Sequence, residues 1–193
     1  MKKNIDIKTV VRTFFAWQEE KEEKWLREMS NEGWHLTGVG FFNYRFEKGE
    51  PRDMIYKFDF KVLRNAERDE YILNFKDAGW EYIGSFGAWY YFKTNADGDH
   101  SLELYNDNRS KIEKYKRLLL VLGVISLPLM FFHLPNLYMR IIDMAEDSVL
   151  RSSLVFNIYL PGVIILTIVV VLAVYAIIRI LLKIRNLNKD IRQ

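Results

Sequence analysis

Residues 25–46 read WLREMSNEGWHLTGVGFFNYRF, and residues 71–92 read YILNFKDAGWEYIGSFGAWYYF. Set 46 positions apart, the two stretches coincide at their punctuation: Gly33 with Gly79, Trp34 with Trp80, Gly38 with Gly84, Tyr44 with Tyr90, Phe46 with Phe92. Self-similarity at a fixed spacing marks one supersecondary unit used twice. In each copy three apolar residues spaced as on one helical face precede a glycine: Trp25, Leu26 and Met29, then Tyr71, Ile72 and Phe75. The glycine is the expected left-handed cap that ends the helix. Beyond it the apolar period changes to two, the period of a strand.

Working outward, residues 8–17 are rich in β-branched and aromatic types and read as a strand. Gln18 to Glu32 reads as a helix, with Glu19, Glu20, Glu22 and Glu23 crowding its first turns, where the helix dipole favours acids. Trp34 to Phe46 reads as one long strand, with Trp34, Leu36, Phe42, Tyr44 and Phe46 inward and Gly38 and Gly40 marking a bulge or a close approach of another backbone. Residues 54–62 alternate as a strand, Glu67 to Ala78 is the second helix, and Trp80 to Lys93 a second long strand. Asp97-Gly98 signals a hairpin leading to a short strand over Ser101–Tyr105. The order is βαβ stated twice, the signature of a ferredoxin-like α+β sandwich with one antiparallel sheet and both helices on one face.

The chain then changes character. Residues 1–117 hold 21 Lys/Arg and 21 Asp/Glu; residues 118–193 hold 7 and 4, which supplies the whole net charge of +3. Residues 1–107 are therefore read as an α+β repeat domain and 108–193 as a membrane domain. Leu118–Met139 and Leu154–Ile178 approach or exceed the roughly 20 apolar residues that a bilayer crossing needs. Pro128 and Pro135 suggest a kinked or frayed outer end to the first span. The polar connection Arg140–Ser153 has one apolar helical face and suits the interface. Five cations, Arg109 to Arg117, precede the first span and five, in the basic tail 179–193, follow the second, whereas the loop between has two. The positive-inside rule places both termini, and the repeat domain, in the cytoplasm. Met1–Asp6 lacks the apolar core of a cleavable signal.

Chemistry is harder to find. The chain has no cysteine, so disulfides, thiolate metal sites and a Cys nucleophile are excluded. His35, His100 and His133 are scattered, which argues against a metal centre; they read as a strand, a hairpin and a membrane-interface residue. The acids at 19–23 read as a solvated helix start, and Asp97-Gly98-Asp99 as a turn lacking calcium-loop spacing. No phosphate loop or nucleophile–base motif occurs, so no catalytic residue, cofactor or enzyme activity is expected. Trp34 and Trp80 read as core. The candidate partner-binding face is the outward parity of the long strands, Val39, Phe41, Ile83, Trp89 and Tyr91, since an exposed apolar sheet face marks a binding surface. Its occupant is a protein partner or a second copy, with a small molecule or the bilayer as alternatives. Base stacking on RNA is disfavoured, because residues 1–117 carry no net charge.

Glu22-Glu23-Lys24-Trp25-Leu26, Gly33-Trp34-His35-Leu36, Tyr44-x-Phe46, Tyr56-Lys57-Phe58-Asp59-Phe60 and Asp77-Ala78-Gly79-Trp80-Glu81 resemble a domain-of-unknown-function family of Gram-positive bacterial membrane proteins, over roughly residues 8–106. The trailing pair of membrane helices is also typical of it. The resemblance implies a bacterial cell-membrane protein. Such families often sit beside PadR-like transcriptional regulators, which implies a role in regulated envelope or drug response. The expected function is a membrane-anchored partner-binding or sensing module without catalysis; an accessory transporter subunit is the alternative.

Overall fold

Each phrase folds as a strand, a helix and a two-stranded hairpin. The computed structural model describes residues 6–97, 104, 108–146 and 154–191. The first phrase gives β1 (Ile7–Val11), a single 3-10 turn (Ala16–Gln18), α1 (Glu19–Asn31), β2 (Trp34–Gly40) and β3 (Asn43–Lys48). The second gives β4 (Met54–Phe60), α2 (Asn65–Asp77), β5 (Glu81–Phe86) and β6 (Trp89–Asn95). Helices α3 (Asn108–Glu146) and α4 (Leu154–Ile191) follow. The class is α+β with a C-terminal pair of long apolar helices, as the sequence reads.

Within that class the arrangement differs in one respect. Each expected long strand is a hairpin, so the unit is βαββ, and the strands form two three-stranded antiparallel sheets, ordered β1-β3-β2 and β4-β6-β5, in place of one sheet. The first hairpin turns at Phe41-Phe42, between paired Gly40 and Asn43; the second turns at Gly87-Ala88, between paired Phe86 and Trp89. Phe41-Phe42 carries no turn chemistry. Phe42 takes a left-handed φ of 59°, a conformation that strains a bulky side chain. The expected bulge is present at the same place in both hairpins, between Leu36 and Gly38 and between Tyr82 and Gly84. The expected strand over 8–17 stops at Val11, because Ala16 to Gln18 already coils toward α1.

Gly33 and Gly79 end their helices with φ of 81° and 88°, as expected. Gly33 is doubly constrained, since a Cβ there would meet Gly49 O at 2.6 Å. The Gly33 carbonyl also accepts from Gly49 N at 2.8 Å, which ties the end of α1 to the end of β3.

The β4-β6-β5 sheet is covered on both faces. Tyr56, Phe58 and Tyr91 join Leu26, Leu36 and Phe46 in one core, between this sheet, α1 and the first sheet. Tyr90 and Phe92 face the other way and pack with Tyr71 of α2 and Trp80. The outer strands β2 and β5 run side by side. Trp80 is buried as expected, whereas Trp34 is half-buried with the Lys48 ammonium 4.8 Å above its ring.

The chain divides into two compact units, Met1–Tyr115 with Leu187–Gln193, and Lys116–Asn186. In the second, α3 passes Pro128 and Pro135 without interruption, so the expected kinked or frayed end is helical. Next to Pro135, Asn136 Nδ2 donates to Phe132 O at 2.6 Å. The expected polar connection is helical to Glu146; its remainder, like Gly98, Asp99, His100 and all but Leu104 of the strand expected over 101–105, lies outside the described residues, whereas Asp97 is in a turn and Leu104 in a bend. His133 is buried in this unit, with Nε2 2.9 Å from Thr167 Oγ1 of α4. That hydroxyl also donates to Val163 O at 2.8 Å. Asn108–Met139 and Leu160–Ile191 are long and apolar enough to cross a bilayer, each holding an 18-residue stretch of mean hydropathy 2.2 and 2.9 respectively.

Candidate functional site

The stripe of α1 that buries Leu26 and Met29 continues backwards, at helical spacing, through Glu22 and Glu19. Both carboxyls are buried, at 7% and 8% exposure. The expected solvated start of the helix is therefore an interior one. Glu22 Oε1 accepts from the Tyr44 hydroxyl of β3 at 2.7 Å, and the Tyr91 hydroxyl of β6 is its second hydrogen-bonding partner. Glu19 accepts from Lys114 Nζ and, at 3.1 Å, from the Tyr115 hydroxyl, both in the first turns of α3. Lys114 Nζ, itself buried, also donates to Phe58 O at 3.2 Å. Beside them Glu23 Oε2 pairs with Lys57 Nζ at 2.8 Å.

These groups border a cavity of about 150 Å³. Its walls are Glu19 and Glu22 of α1, Tyr44 and Tyr91, Phe58, Trp89, and the hairpin residues Phe41, Phe42 and Phe86; Arg12 and Phe14 close it from the segment after β1. Phe41 and Phe86 meet with ring centroids 5.6 Å apart, so the two hairpin tips form one aromatic rim. The strained φ of Phe42 belongs to this rim, and backbone strain of that kind collects at functional sites. A second hollow, lined by His35, Glu50, Arg52, Glu81 and Lys93, is polar, and its groups are already engaged: His35 Nε2 with Glu50 O at 2.8 Å, Lys93 with Glu81 at 3.1 Å.

Burial sets the acid–base character of the first cavity. It pushes the Glu22 carboxyl up to about 7, against the hydrogen bonds from Tyr44 and Tyr91, and the nearby Glu19 charge adds to the rise. Glu23 is likewise pushed up to about 7, against the pull of Lys57. The Tyr44 and Tyr91 phenols are held well above their ordinary range, by burial and then by the Glu22 charge, and remain donors. The folded unit thus keeps the Glu22 proton to about pH 7, whereas an unfolded chain releases it near 4.5. Stability from this group is complete below about pH 4.5 and is lost as pH rises through 7. Urea titrations of the full chain in micelles should show that decline, and Glu22→Gln should flatten it; a parallel decline in both proteins would exclude Glu22 as its source.

The expected partner face is redistributed. Tyr91 is a core residue at 9% exposure, and Val39, Ile83 and Trp89 are half-buried against the same core. Phe41 alone of that set is open, at 65%. It stands instead with Phe42, which had been expected to face inward, and with Phe86, at 49% and 39%. Placing the reversal at Phe41-Phe42 changes which residues share a surface. Of the expected set, Phe41, Trp89 and Tyr91 come together around the cavity; Val39 and Ile83 do not line it. The residues that sequence reasoning missed are Glu19, Glu22 and Lys114. For the first two the signal was available, as positions three or four residues apart along the stripe that contains Leu26.

No curated protein and no solved structure matches the chain. The profile of one family, described as "Protein of unknown function (DUF2812)", matches residues 18–127, a span that runs past the expected end of the resemblance into α3 and contains Glu19, Glu22, Tyr44, Tyr91, Lys114 and Tyr115. The chain belongs to the DUF2812 family.

Proposed function

We propose that this chain is a membrane-anchored sensing module without catalytic activity. Its α+β unit lies in the cytoplasm of a bacterial cell, and α3 and α4 hold it on the cell membrane with both termini inside. The observation that carries this reading is the double attachment of the first turns of α1. Glu22 borders the cavity, while Glu19, one turn earlier, holds Lys114 and Tyr115 of α3. A rigid helix fixed at both places transmits a shift at the cavity to the base of a helix that is long and apolar enough to enter a bilayer. A protein partner or a second copy reads the outcome. Nucleic acid is not the partner, because residues 1–117 carry no net charge.

Hydrogen exchange on the full chain in nanodiscs tests the coupling. Glu22→Gln touches the cavity and not α3. It should change exchange in residues 108–115 several-fold and leave α2, on the other face of its sheet, unchanged. Unaltered exchange over 108–115 would remove the reading. The transporter-subunit alternative is favoured by one observation, the buried His133 between the two apolar helices. Exchanging the apolar stretches 118–139 and 154–178 for an unrelated hairpin, with residues 108–117 kept, abolishes function under that alternative only.

A further inference from the structure

A buried carboxyl is ordinarily matched by a cation, because taking an isolated charge out of water is costly. Glu19 is matched by Lys114 and Glu23 by Lys57. Glu22, no more exposed than they are, has only the two phenols, Tyr44 and Tyr91; among the described residues no Lys or Arg forms an ion pair with it. Arg12 lies elsewhere on the lining, its guanidinium over the faces of Phe14 and Trp25 at 5.1 and 4.8 Å. Glu22 therefore borders the cavity as an acid without a counterion. Most of the rest of the wall is aromatic, Phe42, Phe58, Phe86 and Trp89 among it. Ring faces attract cations through their quadrupoles, most strongly where water is excluded, and aromatic cages are the usual receptacle for organic ammonium groups. An anion would meet two carboxyls here. A cavity of about 150 Å³ takes a molecule the size of benzene.

The geometry points to an organic-ammonium site: the cavity takes a small organic cation, with its ammonium group against Glu22 and its carbon framework against Phe42, Phe86 and Trp89. This deepens the sensing reading above by naming the class of signal. The groups that face Glu22 are Glu19 from α1, Tyr44 from β3 and Tyr91 from β6; the cations of β4 and α3, Lys57 and Lys114, are paired with Glu23 and Glu19. An entering cation therefore favours the ionised form of Glu22 and expels its proton. Affinity rises with pH across the range in which Glu22 titrates, about 7. The same chemistry is available from a soluble amine and from the ammonium of a lipid headgroup.

Calorimetry on the full chain in phosphatidylglycerol nanodiscs, which carry no ammonium headgroup, tests this with choline and its uncharged isostere 3,3-dimethyl-1-butanol. At pH 8 choline should bind at least about tenfold more tightly than the alcohol, and its affinity should fall about tenfold between pH 8 and pH 6. Glu22→Gln should remove both the preference and the pH dependence. Equal binding of the two probes, or an unchanged preference in Glu22→Gln, would overturn the proposal. Should that variant fail to fold, the pH series on the unmodified chain decides alone, and a flat series counts against the site. In phosphatidylethanolamine nanodiscs a weaker apparent choline affinity identifies the headgroup as occupant, and an equal one identifies a soluble cation. Failure of choline discrimination with the 108–115 exchange response intact would overturn the ligand class and leave the coupling standing.

Discussion

Replacing Lys114 by Met destabilises the α+β unit by about 3–5 kcal/mol. The ammonium is 5% exposed and its partner Glu19 8%, so the variant leaves a carboxyl buried with only the Tyr115 hydroxyl to satisfy it. Removing one member of a buried pair costs far more than the pair contributes, because the survivor has neither water nor counterion. Removing both therefore restores most of the loss. Glu19→Gln/Lys114→Met should return to within about 1–2 kcal/mol of the original chain, since neutral groups of similar shape replace the pair. Urea denaturation of the full chain in micelles, followed by tryptophan fluorescence, measures the single and double variants in one cycle. A single variant within about 1 kcal/mol of the original would show that the pair is solvated, contrary to its burial. The cycle also bears on function, because this pair joins α1 to the base of α3.

Tyr91→Ser costs about 3–5 kcal/mol, the range for truncating a large aromatic in a core. The ring packs 4.6 Å from Phe58, centroid to centroid, in the core shared by α1 and the two sheets. Tyr91→Phe keeps the ring and deletes one donor to Glu22, and should cost about 1 kcal/mol. Phe41→Ser, at an exposed hairpin tip, should stay within about 0.5 kcal/mol. These three variants separate the two placements of the aromatic set. If Tyr91 were part of an open partner face, Tyr91→Ser and Phe41→Ser would be equally mild in the urea midpoint. The expected order is a large loss, a small one and none.

Much of the architecture was legible because it rests on local rules. Gly33 and Gly79 announce themselves as caps, since only glycine takes their φ cheaply, and at Gly33 a Cβ would also strike neighbouring backbone. The 46-residue spacing aligns α1 with α2 and the bulge at Gly38 with that at Gly84. The long apolar helices follow from composition alone. The hairpins were not legible in the same way. A strand that reverses at Phe41-Phe42 still alternates on either side of the turn, and two phenylalanines give no sign of it. The run Trp89-Tyr90-Tyr91-Phe92 did carry a signal, because an unbroken apolar strand belongs to a sheet covered on both faces. Read as simple alternation, it assigned Tyr91 to solvent.

By itself the sequence determined the helix ends, the doubled unit, the α+β class and the two apolar helices, because each depends on residues close together in the chain. Only the tertiary structure decided the site. Glu22 meets Tyr91, 69 positions away, and Glu19 meets Lys114, 95 positions away. Whether an acid at the start of a helix faces water or lies buried depends on what the rest of the chain brings over it, and that cover comes from β3, β6 and α3.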